Sequence, residues 1–378
     1  MTYRFIEGIE HDACFFLLGH SVMKHWMRLT FLRVLFFSGL VSVVPLKIAN
    51  AAVDGSCLII DSDAGLDDYR AIAALGRLGP RVPASRVAAI IITEGLARTA
   101  EGAGAMETFL KNVGLEMIPV IQGASPNPER RFRAEYPLPA GLPAWRENTE
   151  RLNQLLPAPV QPTNPAVEDV AIGLRRHIKG CISISLLVIG PWTSFLRYAP
   201  DILERVDRIV IQGRPYPDEL GGEPAGFNCV YDLDSCYAAF DLLVGRQQRS
   251  GRRIRSTWVD IPLSAEACAA AEPGVNAEGR PVWAFSPVQS WAVEMIQAAD
   301  RAKQHDPTLD RGRVARELAR LLQRNPAGLD RTSLWDDLAA LYLMRPELFS
   351  SRGGHMEPCV PAAAIRAVLT DAMIQPAP

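Results

Sequence analysis

The chain has 378 residues, is 48% hydrophobic and carries a formal charge of −2 with a pI near 6.3. That is enough apolar material for one large α/β core or two smaller ones, and too little basic charge for a nucleic-acid-binding surface. No acidic or basic block marks an interaction tail.

The N-terminus reads as a leader, not as part of the fold. Lys24, His25, Arg28 and Arg33 precede the apolar stretch Val34-Leu-Phe-Phe-Ser-Gly-Leu-Val-Ser-Val-Val-Pro-Leu46, and the small-residue site Ala49-Asn50-Ala51 follows it. This order is that of a secretory signal peptide, and the stretch is shorter than the ~20 residues a spanning helix needs. A single uncleaved anchor is the other reading of the same residues. Met23 or Met27 gives a more usual start, which makes the residues before them an upstream extension. The expected organisation is a signal peptide with extension over 1–51 and a single domain over 52–378. The mature chain is then exported, periplasmic or secreted, with no stable membrane partner after cleavage.

Export permits disulfides among Cys57, Cys181, Cys229, Cys236, Cys268 and Cys359. Cys57 and Cys181 sit in apolar runs, where a buried free thiol is the commoner state. Cys229 and Cys236 are close enough in sequence to pair, and spacing leaves the connectivity open.

Strands are expected at Cys57–Ile60, Val87–Ile92, Ile118–Ile121, Ile182–Ile189, Arg208–Ile211 and Ser256–Ile261. Helical patterns at Asp68–Arg77, Ala100–Val113, Val167–Ile178 and Asp232–Leu243 fall between them. Several strands are continuous Val/Ile/Leu runs, as in parallel strands covered on both faces. The alternation predicts a mostly parallel open sheet with helices on both faces. From about Pro287 the pattern is mainly helical, at Val288–Lys303, Gly312–Gln323 and Leu334–Met344, a C-terminal helical elaboration. The Pro-rich Leu156–Pro165 reads as a surface connection.

The chemistry concentrates where the first strand ends. Asp61-Ser-Asp63-Ala-Gly65-Leu-Asp67-Asp68 places four carboxylates in eight residues between an apolar strand and a helix. Carboxylates within ~4–6 Å raise one another's pKa unless a cation offsets the repulsion. An all-oxygen cluster suits Ca²⁺ or Mg²⁺ better than zinc. The plain alternative is a solvated turn whose Asp67 and Asp68 cap the helix. Strand C-terminal ends are where open α/β sheets place ligands, which favours the metal reading. Three later pieces belong with it: Leu187-Val-Ile-Gly190-Pro191-Trp-Thr193, Phe227-Asn228-Cys-Val-Tyr-Asp232, and Ser333-Leu-Trp335-Asp336-Asp337.

In their order these motifs resemble those of the nucleoside hydrolase family, inosine–uridine-preferring and relatives, from about residue 57 to 350. DSDAGLDD corresponds to the family's D-x-D-P-G-x-D-D with Ala64 in place of Pro. Met117–Gly123 resembles its I-P-V-x-x-G strand and turn, and Ile189-Gly-Pro-Trp-Thr193 its G-P-L-T-N turn. Arg205–Gly213 matches the strand that follows. Phe227-Asn228 with Asp232 resembles F-N-x-x-x-D, and Trp335-Asp336 occupies the H-D or W-D position.

The resemblance implies a Rossmann-like core and one Ca²⁺ held by Asp63, Asp68, Asp336 and the backbone carbonyl of Ile189. It implies Asp67 on the ribose 2′-OH, Asn228 on the ribose hydroxyls, and Asp336 also on the 3′-OH. Asp61 supports the loop. Asp63 is the implied general base for water attack on the N-glycosidic bond of a small-molecule nucleoside, releasing ribose and base. Trp335 matches the purine-specific branch, where a Trp stacks on the base in place of a His acid. Its plain alternative is a core aromatic at a helix start. Phe132, Tyr136 and Trp145, on the long Pro- and Arg-rich loop expected after Gly123, are the candidates for a second stacking ring.

Two family contacts are replaced. The usual Gly-Asn after the second strand is Glu94-Gly95-Leu96, and Glu-Phe-Asn is Gly226-Phe227-Asn228, with Glu219 or Glu223 available to compensate on the ribose 5′ side. A ribose- or nucleoside-binding protein that keeps the metal without turnover is therefore the rival reading, and homo-oligomerisation stays open. A haloacid-dehalogenase-type phosphatase is disfavoured, because Leu66 and Asp67 stand where its Thr is required.

Overall fold

A computed structural model describes residues 55–78, 86–127, 138, 140–156, 169–213, 226–251, 254–260, 274–275, 281–282, 288–305, 312–324, 334–352 and 354–374. The N-terminal leader, the Pro-rich connection, Phe132, Tyr136, Glu219 and Glu223 lie outside these. In chain order the first half runs β1 (Ser56–Ser62), α1 (Leu66–Leu78), β2 (Val87–Ile92), α2 (Thr99–Val113), β3 (Val120–Gln122), α3 (Leu142–Gln154), α4 (Val170–His177), β4 (Ser183–Val188), α5 (Phe195–Ile202) and β5 (Val206–Gln212). The second half runs α6 (Phe227–Tyr231), α7 (Leu233–Ser250), β6 (Arg255–Val259), the hairpin strands β7 (Gly274–Val275) and β8 (Pro281–Val282), α8 (Val288–His305), α9 (Arg313–Arg324), α10 (Asp336–Met344), β9 (Phe349–Arg352), β10 (His355–Pro358) and α11 (Ala362–Met373). Among the described residues no helix is long and apolar enough to cross a membrane.

The main sheet has the order β3-β2-β1-β4-β5-β6-β10-β9. Every neighbouring pair is parallel except β9 with β10. Its first six strands follow the doubly wound order, whose direction of winding reverses between β1 and β4. A crevice opens at that point beyond the strands' C-terminal ends, and ligands bind there in such sheets.

Period-two alternation within continuous apolar strands explains the two covered faces. Leu58 and Ile60 of β1, with Ile90 and Ile92 of β2, join one core with α1, α2 and the C-terminal helices α8 to α11. Cys57 and Ile59, with Ala89 and Ile91, join the other with α4, α5 and α7.

Three elements depart from the sequence reading. The segment after Gly123, expected as loop, contains α3, whose Pro143 sits in the first turn, where a proline costs no hydrogen bond. The C-terminal portion is not purely helical: β10 extends the main sheet beside β6 and turns back through β9. Cys57 and Cys181 are not free thiols but a disulfide, Cα to Cα 5.6 Å, joining the start of β1 to the entry of β4. Cys229 and Cys236 are also bonded, linking α6 to α7. Cys359 is disulfide-bonded too.

One buried ion pair ties the first helix to the tenth. Arg70 Nη2 lies 2.6 Å from Asp337 Oδ2, and Arg70 Nε donates to Asp337 Oδ1 at 3.0 Å. Both side chains are essentially inaccessible, and the guanidinium sits over the Trp291 ring. The fork-to-fork geometry is what makes an ion pair tolerable away from water.

Two outcomes follow for stability. Asp337→Ala strands a buried arginine, so it should cost about 3–5 kcal/mol; an unchanged denaturation midpoint would refute the role of the pair. Opening the Cys57–Cys181 bridge, which spans a sequence separation of 124, should lower unfolding free energy by ~2–4 kcal/mol through the freer unfolded chain. Urea unfolding of a Cys57→Ala/Cys181→Ala variant against the parent measures it, and coincident curves would contradict it.

Candidate active site

The ends of β1 and β4 approach each other closely, and glycine makes this possible. Ile189 N and Gly190 N both donate to Asp61 O, at 2.8 and 3.0 Å. A Cβ on Gly190 would lie 2.8 Å from the Ser62 carbonyl carbon and 2.9 Å from Asp63 N, inside contact distance. Asp63 and the Ile189 carbonyl are thereby set at the same edge, at the switch point.

From Asp63 the chain turns sharply into α1. Ala64 adopts a left-handed backbone with φ 58°, a conformation that costs a non-glycine residue roughly 1–2 kcal/mol and that a proline ring forbids. The replacement of the family's Pro by Ala is thus matched by a turn that only a non-proline residue can make. Its amide donates to Ser62 Oγ at 3.1 Å, and Ser62 Oγ donates to Asp68 Oδ1 at 2.5 Å. Gly65 N donates to Asp68 Oδ2 at 2.9 Å, and Leu96 N, from the loop after β2, donates to Asp63 Oδ2 at 2.9 Å. The Gly95 backbone lies against the Asp63 carboxylate so closely that a Cβ there would be 2.1 Å from Oδ2.

The acidic side chains converge from both ends of the chain. Oxygens of Asp67, Asp68 and Asp336 all lie within 4.8 Å of one another. Asp68 is in hydrogen-bonding contact with both Asp63 and Asp336. Asp63, Asp68 and Asp336 are buried, whereas Asp67 is partly open. Burial, followed by the charge of Asp67, pushes the Asp68 carboxyl up to about 7. Asp63 is held well above the ordinary carboxylate range by burial and then by Asp68. Asp336 is raised likewise by burial, then Asp67 and Asp68. Carboxyls this compressed carry either protons or a shared cation.

Beneath them Asp61 is fully buried and spoken for. It accepts from Tyr198 OH at 2.8 Å and from the Thr93 hydroxyl, which also bonds Ser194. It supports the floor and stands apart from the cluster of Asp67, Asp68 and Asp336. Asn228 Nδ2 donates to the Ile189 carbonyl at 2.9 Å and to Gln212 Oε1 at 3.0 Å, so Asn228 and Ile189 meet as a pair.

Over this floor stands an aromatic wall. Trp335, immediately before Asp336, is 38% exposed and meets Trp145 of α3 edge to face, ring centroids 6.5 Å apart. Trp145 in turn packs on Phe227 at 6.2 Å, and Phe227 on Tyr231 at 5.5 Å. Trp335 is no core residue, and of its candidate partners Trp145 is the one beside it. Phe227 and Glu94 stand in the sequence motifs without this place in the wall, Tyr231 has no role assigned there, and Arg146 is not singled out at all. Arg146 donates to Gly95 O at 2.9 Å and to Tyr231 OH, stacks over the Tyr231 ring, and lies 3.6 Å from Glu94. Tyr231 OH donates to Glu94 at 3.1 Å. Trp145 is one of three candidate rings, and nothing in the local pattern of α3 marks Arg146 beside it.

The donor set fits a hard divalent cation. It is all oxygen, crowded and desolvated. Among the described residues no Lys or Arg pairs with Asp63, Asp68 or Asp336, and the nearby Arg70 is committed to Asp337.

Comparisons with known proteins agree. The purine-preferring ribonucleoside hydrolase of Gardnerella vaginalis shares the fold at TM-score 0.51 and 14% identity, over 84% of this chain and 98% of that one. An inosine-uridine preferring nucleoside hydrolase from Bacillus anthracis gives 0.51 and 14%, over 84% and 99%. An inosine-guanosine nucleoside hydrolase gives 0.52 and 15%, over 84% and 98%. No individual curated protein matches the chain significantly by sequence. The sequence model of the inosine-uridine preferring nucleoside hydrolases covers residues 58–364, from β1 through the start of α11. The chain belongs to this nucleoside hydrolase family, and is by that membership a glycosyl hydrolase acting on ribonucleosides.

Proposed function

We propose that the protein is an exported, Ca²⁺-dependent hydrolase that cleaves the N-glycosidic bond of ribonucleosides, purines favoured, to ribose and free base. The observation that carries this reading is the meeting of Asp68 and Asp336, 268 positions apart in the sequence, in one oxygen cluster beside a half-open tryptophan pair. The ligand set we assign is Asp63, Asp68, Asp336 and the Ile189 carbonyl. Asp67 reaches within the same 4.8 Å cluster and, as its most open member, is assigned to the ribose 2′-OH.

When bound, the ion acidifies and orients a water and grips the sugar diol. Asp63 takes the proton of that water, its carboxylate held in orientation by Leu96 N on Oδ2. Asn228 and Asp336 meet the ribose hydroxyls. The sugar passes through an oxocarbenium-like state, whose positive charge the surrounding carboxylates favour. Trp335, 38% exposed, stacks on the base, and Trp145 meets it edge to face. An electron-rich indole raises the proton affinity of a stacked purine, which eases its departure.

Export rests on the leader-like N-terminus and is supported by the disulfides Cys57–Cys181 and Cys229–Cys236, which persist in oxidising compartments. We assign residues 1–51 to the leader with its extension and 52–378 to a single catalytic domain.

Asp63→Ala should abolish ribose release from inosine and weaken Ca²⁺ binding measured by calorimetry. Chelation of the parent enzyme should do the same reversibly, with Ca²⁺ restoring turnover. Full activity in either case refutes the assignment. Trp335→Ala should slow purine ribosides by at least tenfold more than p-nitrophenyl riboside, whose leaving group needs no help. Equal slowing of the two substrate classes would remove the stacking role.

A further inference from the structure

Among the described residues Arg146 is a cation stacked against the aromatic wall, and its placement goes beyond what the metal floor and the tryptophan pair explain. It follows Trp145 on α3, so the residue that braces Trp335 and the arginine move as one unit. Its guanidinium is fixed on three sides. Nε and Nη2 donate to Gly95 O at 3.1 and 2.9 Å, Nη2 also bonds Tyr231 OH, and the plane lies over the Tyr231 ring at 5.3 Å. Glu94 sits 3.6 Å away. Nη1 has no partner among the described residues, and the side chain is 32% exposed. A guanidinium locked by three neighbours, with one end unspent, is a preorganised donor.

The anchors place the guanidinium between two parts of the site. Gly95 touches the Asp63 carboxylate, where the attacking water is deprotonated. Tyr231 packs on Phe227, which packs on Trp145, the neighbour of Trp335. Arg146 therefore lies between the Gly95 loop at Asp63 and the aromatic rings. Its charge is balanced by Glu94, which makes the pair a poor site for a phosphate but a good one for a neutral acceptor such as a purine ring nitrogen or carbonyl. The chain has no histidine in the family's acid position, where Trp335 stands instead.

We infer that Arg146 is the hydrogen-bond donor to the departing purine base, a role that rests on the hydrolase reading above. As the C1′–N bond breaks, its electron pair passes into the base. The water oxygen bonds C1′ and the water's proton goes to Asp63. The Nη1 N–H stabilises the charge growing on the base, which afterwards takes a proton from solvent. Arg146 remains charged throughout.

The experiment compares inosine with p-nitrophenyl riboside in the Ca²⁺-loaded full chain. Arg146→Gln should lower kcat on inosine by on the order of 100-fold, as loss of one preorganised donor does, with KM shifting little and a far smaller loss on the aryl riboside. Arg146→Lys, which keeps the charge but not the fork, should fall between and preserve the selectivity of the effect. It carries the test alone if the glutamine variant does not fold. If Arg146 only holds the Gly95 loop against Asp63, both substrates slow equally, and that outcome overturns the inference. Absence of ribose release from either substrate in the parent would instead sink the hydrolase reading itself.

Discussion

Negative charge packed at one edge of the sheet is the constraint around which the rest of this molecule is arranged. Two like charges 4 Å apart repel by about 4 kcal/mol even at an effective dielectric of 20, and this site gathers Asp67, Asp68 and Asp336 within 4.8 Å of one another, with Asp63 in contact with Asp68. The fold tolerates this because the backbone offers partial positive charge in the right place. Asp67 and Asp68 lie in the first turn of α1, and Asp336 and Asp337 in the first turn of α10. Two helix N-termini thus point their amides and macrodipoles at one cluster. That offset is partial. Burial and mutual repulsion still raise the pKa of Asp68, Asp63 and Asp336, which leaves a role for a cation or protons.

Arg70 decides how α10 reaches α1. Asp337 engages it in a two-pronged buried pair, and because Asp336 is the preceding residue, the same contact delivers Asp336 to Asp68. The one strong internal counter-charge is therefore used on the carboxylate that faces the core, so that its neighbour can remain uncompensated. Gly190 plays the matching part on the strand side, where its missing Cβ lets β4 close on β1. A polar network under the floor, Asp61 with Thr93, Ser194 and Tyr198, keeps the base of the loop from shifting.

The sheet and the acidic floor were legible in the sequence because both are local patterns. β2 falls on the Val87–Ile92 run, α1 to α2 follow the apolar periodicity, and the carboxylates sit in eight consecutive residues. The wall was legible only in Trp335 and in Trp145 as one of three candidate rings. Trp145, Phe227, Tyr231 and Arg146 come from α3 and α6, separated by some eighty residues, and only tertiary packing joins them. Helix α3 itself is masked by Pro143 and a polar face, and β10 by its brevity and its Pro358. The Cys57–Cys181 bridge escaped because two apolar strand cysteines look alike bonded or free. Only their adjacency at the β1 and β4 entries, 5.6 Å between Cα atoms, distinguishes the cases.

Floor and wall also differ in how they are held, and this bears on how specificity is set. The floor depends on buried backbone approach and on helix termini, where one added methyl group at Gly190 or Gly95 collides with main chain or with Asp63. The wall is built from side chains on α3 and on a five-residue helix, α6, whose orientation is fixed by Cys229–Cys236 and by the Asp232 carboxylate bonded to Thr193 and to the Ser235 amide. Changes there alter the rings without moving a carboxylate. That separation accounts for a chain in which Glu94-Gly95-Leu96 and Gly226 depart from the family's contacts while the acidic motif survives nearly whole. The polar group lost beside the ribose is set against a new one, Arg146, brought to the same loop by its hold on the Gly95 carbonyl.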